Sequence, residues 1–216
     1  MKDAILIVGG GLGGLAAALA LARHGRSVRV LEGAQAFGAI GYGIQFGPNV
    51  FHVLDRIGVS DAVLEKADSP PALLMFDALN GKEVTRVPTG ASFRSRFKYP
   101  YIIIHRIDLL GDAAHPTLQS LAQGACLEIE DGQCLADCIA AANGDFRAAF
   151  RRYENARAVR TARVTVESRY IWDVYHSDGI NREVYWQMLG ERSEADTFQC
   201  LAWLYDGFAL PTEANR

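Results

Sequence analysis

The chain has 216 residues, 50% hydrophobic and 22% charged, with a formal net charge of −3 and 21 glycines. That size and balance suit one globular α/β domain, or one with an appendage, able to bury a core without disulfides. The slightly acidic balance leaves no footprint for nucleic acid or an anionic membrane surface, and no run approaches the roughly 18 apolar residues of a membrane span.

The first apolar run breaks at once on glycines, unlike a secretory signal. The four cysteines, Cys126, Cys134, Cys138 and Cys200, do not form the paired C-x-x-C pattern of a zinc site. The expectation is therefore a cytoplasmic protein with reduced, mostly buried thiols and no metal. Basic residues gather at 147–163, but Glu154 interrupts them and helical spacing spreads them, so a solvated helix face is expected there.

Residues 4–8, Ala-Ile-Leu-Ile-Val, read as a parallel strand covered on both faces. Gly9-Gly10-Gly11-Leu12-Gly13-Gly14 follows, then a helix over 15–23, a cap at Gly25, and a second strand over 27–31 that ends in Glu32. Glycines 9, 11 and 14 fit G-x-G-x-x-G. Gly9 permits the sharp turn, Gly11 lets the backbone touch a pyrophosphate, and Gly14 lets helix and strand pack closely. Free N–H groups and the helix dipole hold the phosphates, and Glu32 is placed to accept hydrogen bonds from a ribose. Its charge argues against a 2′-phosphate there. Which dinucleotide binds, FAD or NAD, stays open on these residues.

The loop Gly41-Tyr42-Gly43-Ile44-Gln45-Phe46-Gly47-Pro48-Asn49 leads into a helix over 50–57, stopped by Gly58. Residues 101–104 are apolar and β-branched, hence a strand, and His105-Arg106-Ile107-Asp108-Leu109 follows. Gly111-Asp112-Ala113-Ala114-His115-Pro116 then reads like a loop leaving a buried strand. Helices are expected from 123–124 through 137 and over 145–175, with Phe146, Phe150 and Tyr153 on one face.

In the motifs G-G-G-L-G-G with Glu32, G-I-Q-F-G-P-N, H-R-I-D-L, G-D-A-A-H-P-T-L-Q and A-Q-G-A-C-L-E-I-E-D-G, the chain resembles the single-component FAD-dependent aromatic hydroxylases, particularly the 3-hydroxybenzoate 6-hydroxylase and salicylate hydroxylase group. The resemblance implies an α/β fold. It would be a Rossmann-like FAD-binding domain of the glutathione-reductase type over 1–144, followed by a C-terminal helical region over 145–216. It also implies FAD in the cradle of Gly9, Gly11, Leu12, Gly13 and Gly14, with Glu32 on its ribose. By the same resemblance Arg106 contacts the cofactor and Asp112 the ribityl chain, while Pro116, Gly124 and Ala125 complete the contacts. NADH is the implied electron donor, dioxygen the co-substrate and a hydroxybenzoate the substrate, with 2,5-dihydroxybenzoate as the favoured product from 3-hydroxybenzoate.

Gln119 matches a family glutamine beside the substrate's phenolic oxygen. An amide can orient a phenol but cannot take its proton, and the family's histidine base lies in a block missing here. His115 is read as a loop histidine. In the family, the H-R-x-D-L segment and the G-D-A-A-H-P loop are separated by most of the substrate domain and a D-G motif. In this chain only Leu109-Leu110 lies between them. The chain is thus expected to be internally truncated near 109–111, with impaired turnover. The alternative is a non-catalytic FAD- or nucleotide-binding remnant.

Asp178-Gly179 is not accepted as a displaced D-G motif. Arg157 and Arg160 resemble paired arginines on the family's long C-terminal helix. The aromatic set Trp172, Tyr175, Tyr185, Trp186, Trp203 and Tyr205 is read as packing against the FAD domain, or as a homodimer interface.

Overall fold

The computed structural model describes residues 4–34, 43–105 and 121–208. Strand β1 (Ile5–Val8) turns through the glycines into helix α1 (Leu12–Arg23), and β2 (Val28–Leu31) returns parallel to β1 with Ile5 opposite Val28. Gly25, at φ +70°, reverses the chain after α1, and the Arg26 N–H reaches back to the Leu21 carbonyl. A left-handed glycine relieves the helix's last carbonyls in this way at little steric cost.

Strand β3 (Gly43–Phe46) feeds α2 (Pro48–Ile57), which starts on a proline and stops at the left-handed Gly58. Helix α3 (Ser60–Glu65) follows, then the antiparallel hairpin β4 (Ala72–Phe76) and β5 (Glu83–Pro88), then α4 (Ala91–Phe97). Strand β6 (Ile102–His105) pairs antiparallel with β3. The C-terminal part is helical: α5 (Gly124–Ala141), α6 (Phe146–Tyr175), α7 (Gly179–Gly190) and α8 (Glu194–Tyr205). A capping box between Ser193 and Asp196 starts α8. Asp178 is the N-cap residue of α7, so the late D-G pair begins a helix.

Two apolar clusters form the core. The larger joins α1, α2, β3, β6 and α5 through residues such as Leu21, Phe51, Ile102 and Ile129, and α6 reaches it through Ala149. The smaller gathers Phe93, Phe97, Tyr101, Leu127, Val164, Phe198, Leu204 and Tyr205. In it Phe97 and Tyr205 meet edge to face at 5.4 Å. Of the C-terminal aromatics, Trp203 and Tyr205 therefore pack inward, whereas Trp172 and Tyr175 stay 44% and 49% exposed.

Two expectations need correction. β1 is not covered on both faces: Leu6 and Val8 are exposed, as is Leu31 of β2. Alternation puts these residues on one side of the two-stranded sheet, opposite the α1 side. Helix α1 begins at Leu12 rather than 15, because Gly13 and Gly14 already take helical backbone. Phe146 and Phe150 of α6 lie 6.4 Å apart and are exposed, while Tyr153 packs against the core.

Helix α5 lies along α1 with little between them. A Cβ on Gly132 would meet the Ala17 nitrogen at 2.7 Å, and one on Gly13 would meet Glu128 Cβ at 3.4 Å. Further along, His24 Nε2 meets Asp137 Oδ1 at 3.0 Å. Sequence number rises on both helices through these three contacts, so α1 and α5 run parallel and their N-termini share one end.

Candidate functional site

The glycine turn is held at both sides. The Gly9 N–H donates to the Leu31 carbonyl at 2.7 Å, tying the turn to the end of β2. Gly9 sits at φ +107°, where a side chain is strained. A Cβ on Gly14 would run into the Gly9 carbonyl oxygen, so the turn closes onto α1 only with glycine there. Gly11 is the N-cap residue. No described side chain caps this end, and its first turn holds no acid. The first-turn N–H groups of Leu12, Gly13 and Gly14 thus keep their donors and the positive end of the dipole for an anion.

Glu32 is fixed beside this end. Its Oε2 accepts from the Gly10 N–H at 2.7 Å and its Oε1 from the Ala34 N–H at 2.8 Å. These backbone bonds, Ala34 first and then Gly10, hold its carboxyl below the usual glutamate range. The group is an exposed, ionised, acceptor-only carboxylate with lone pairs left for hydroxyl donors.

Helix α5 also packs against α1. Gln123 is its N-cap residue, and the small residues Gly124 and Ala125 form the first turn, which again holds no acid. Glu32 and α5 therefore both approach the α1 terminus, the first at Gly10 and the second through Glu128 beside Gly13. The grouping suits a ligand that carries hydroxyls beside a diphosphate. Read this way, the residues present fit FAD.

Beneath the α5 terminus is a buried polar cluster that the sequence reading did not find. Asn49 Nδ2 donates to Gln123 Oε1 at 3.0 Å and to Glu130 Oε1 at 2.9 Å. Arg160 clasps Glu130 with two bonds of 2.7 Å, and Arg157 adds one of 2.8 Å. Arg160 also donates to the Trp203 and Leu204 carbonyls, both at 3.2 Å. Burial works against the Glu130 charge, but Arg160, then Arg157 and Asn49, outweigh it and keep the carboxyl below its usual range. The basic stretch at 147–163 is thus not wholly a solvated face, because Arg157 is 3% exposed and carries charge into the core. The available signal was Arg157 and Arg160, three apart on one helix, facing adjacent acids on another.

The cysteines are free; Cys126, Cys134 and Cys138 are buried and Cys200 is exposed. No cluster of metal-ligating side chains and no membrane-spanning helix occurs among the described residues. The described site brings together Gly9, Gly11, Leu12, Gly13, Gly14 and Glu32, with Gly124 and Ala125 alongside. Arg106, Asp112, His115, Pro116 and Gln119 lie outside the described residues, as do Leu109 and Leu110 of the junction.

Residues 2–103 match the FAD binding domain family. That match spans a little under half of the chain. The chain is 25% identical to a 3-hydroxybenzoate 6-hydroxylase of Polaromonas naphthalenivorans over an alignment of 380 positions, gaps included, spanning 93% of this chain and 95% of that protein. A 3-hydroxybenzoate 6-hydroxylase of Klebsiella oxytoca is 49% identical over 104 residues, which are 48% of this chain but 26% of the relative. At 216 residues the chain has material for about half the length of these relatives. The crystal structure of Klebsiella pneumoniae HpxO complexed with FAD and uric acid superposes with a TM-score of 0.76 at 13% identity, covering 93% of this chain and 96% of that one. At that identity the likeness is one of fold alone, mixed α/β with a helical C-terminal region.

Proposed function

We propose that the chain binds FAD and derives from an NADH-using monooxygenase that converts 3-hydroxybenzoate to 2,5-dihydroxybenzoate. The observation that carries this reading is the glycine turn with Glu32 fixed beside the uncapped α1 terminus, against which α5 packs. The adenosine ribose would lie on the Glu32 carboxylate, the diphosphate on the N–H groups of Leu12, Gly13 and Gly14, and the pyrimidine edge of the ring beside Gly124 and Ala125. The β1–α1–β2 unit supports a Rossmann-like domain of the glutathione-reductase type over 1–144, with 145–216 as its helical cover.

When bound, FAD supplies hydride acceptance from NADH and activation of dioxygen. The chain's own part is to orient and to neutralise. Glu32 would accept hydrogen bonds from ribose hydroxyls, α1 would offset the diphosphate charge, and α5 would offer a second positive helix end to negative charge on the ring. Arg106, Asp112 and Pro116 are proposed as further cofactor contacts, and Gln119 as the amide that orients the phenol. The free buried thiols favour a cytoplasmic setting. The exposed Trp172 and Tyr175 favour a homodimer.

A second reading, a non-catalytic FAD-binding remnant, is favoured by the chain's length against its relatives. Purifying the 216-residue chain and titrating it with FAD tests the first step. A saturable shift of the flavin spectrum supports binding, and a colourless protein under excess FAD overturns it. Product analysis with NADH and 3-hydroxybenzoate separates enzyme from remnant.

A further inference from the structure

We infer that Asn49 is a positioning residue that sets the start of α5 against the cofactor, through its paired bonds to Gln123 and Glu130. The inference rests on the proposed FAD site. Asn49 is 1% exposed, on the first turn of α2. An amide NH2 has two hydrogens, and Asn49 directs one to the N-cap residue of α5 and the other to a carboxylate two turns further along the same helix. One side chain thus pins two points of α5 and fixes both its tilt and its advance toward the shared end.

The far side of Glu130 is anchored by Arg157 and Arg160 of α6, and Arg160 holds the carbonyls that end α8. Gln123 in turn donates from Nε2 to the Leu121 carbonyl at 3.1 Å, so the clamp extends into the segment entering α5. The Asn49 Oδ1 atom is buried without a hydrogen-bond partner. Such an acceptor is costly to keep. An apolar side chain there would avoid that cost, and asparagine's donors are what the position gains in return. In relation to flavin the clamp has a defined task. The α5 terminus exerts its field only within about one turn, so a small retreat or fraying of that turn weakens it.

The test replaces Asn49 by leucine, similar in size and without donors, beside Val63→Ala as a control of core destabilisation in α3. In the cofactor-free chain, Asn49→Leu is expected to speed amide exchange of residues 127–131 by about tenfold or more, as loss of two hydrogen bonds, one of them to a carboxylate, implies. Residues 134–141 should be unaffected, and Val63→Ala should produce no such local effect. With FAD bound, Asn49→Leu is expected to move the flavin midpoint potential to a more negative value, because the reduced anion loses stabilisation, while FAD affinity stays close to that of the parent. Unchanged exchange at 127–131 overturns the inference, and so does faster exchange with an unchanged potential. If the parent chain takes up no FAD, the proposed function falls on that result, while the exchange data still decide whether Asn49 clamps α5.

Discussion

Gly132 of α5 rests on the backbone of Ala17 in α1, so near that a Cβ would sit 2.7 Å from the Ala17 nitrogen. The neighbour is main chain inside a helix and cannot swing away. Gly132→Ala should therefore destabilise the protein by about 1–3 kcal/mol, the usual cost of overpacking, despite alanine's better helix propensity. A urea unfolding midpoint lower than the parent's is the expected reading. An unchanged or higher midpoint would show that the two helices can part freely.

Glu32 is held by backbone N–H groups beside the glycine turn. Glu32→Ala removes a charged acceptor, and bonds to charged groups contribute about 1.5–3 kcal/mol. FAD affinity should fall by roughly one to two orders of magnitude, measured by quenching of flavin fluorescence. Gly14→Val should abolish binding, since the turn can no longer close on α1.

The pH response follows from Glu130. Its carboxyl is depressed in the folded chain, so the stability it contributes is complete above the unfolded value of roughly 4.3. That stability is lost as pH falls through the lower folded value. For this group the thermal midpoint should hold from neutrality down to about 4.3 and decline below it. Glu130→Gln leaves two guanidinium groups without their shared anion and should cost about 3–5 kcal/mol at neutral pH, with a shallower acid limb. Melting curves of both proteins from neutral pH to the acid transition check this.

The thiols should divide sharply. Burial pushes Cys126 up to about 12 and also raises Cys134 and Cys138, whereas Cys200 is exposed. Since the thiolate is the reactive form, a disulfide reagent should titrate one thiol quickly in the native chain and all four of its cysteines after unfolding.

If FAD is bound and NADH reduces it, dioxygen should accept the electrons without aromatic product, because the chain has about half its relatives' length to enclose the ring. NADH, a proton and dioxygen would then yield NAD⁺ and hydrogen peroxide in equal amounts. Peroxide matching NADH consumption is the expected measurement, and stoichiometric dihydroxybenzoate would contradict it.

Much of this was legible from local pattern. Gly9, Gly11, Gly14 and Glu32 could be placed because turn, helix start and strand end lie within one short segment whose geometry is set by neighbours in sequence. The stop of α2 at Gly58 is legible for the same reason. The start of α1 was misjudged, since glycine is a poor helix former and only packing against Gly9 makes it fit at 14. Leu6 and Val8 read as buried because hydropathy records what a strand prefers and not what covers it. The Asn49–Glu130–Arg160 cluster escaped notice because its members come from three distant segments. A charged residue on a helix reads as solvated until its partner is known.

The parallel contact of α1 with α5 also bears on how the molecule assembles. His24 and Asp137, which meet across it, are 113 residues apart in sequence, so this seam can knit only after a long loop has closed. Closure entropy grows with the logarithm of loop length, about 0.6 kcal/mol per doubling, and non-local seams of this kind slow the search for the native state. A chain about half as long as its relatives carries a lighter entropic burden there, so the diphosphate cradle and its neighbouring helix should come together sooner in refolding than in the longer proteins.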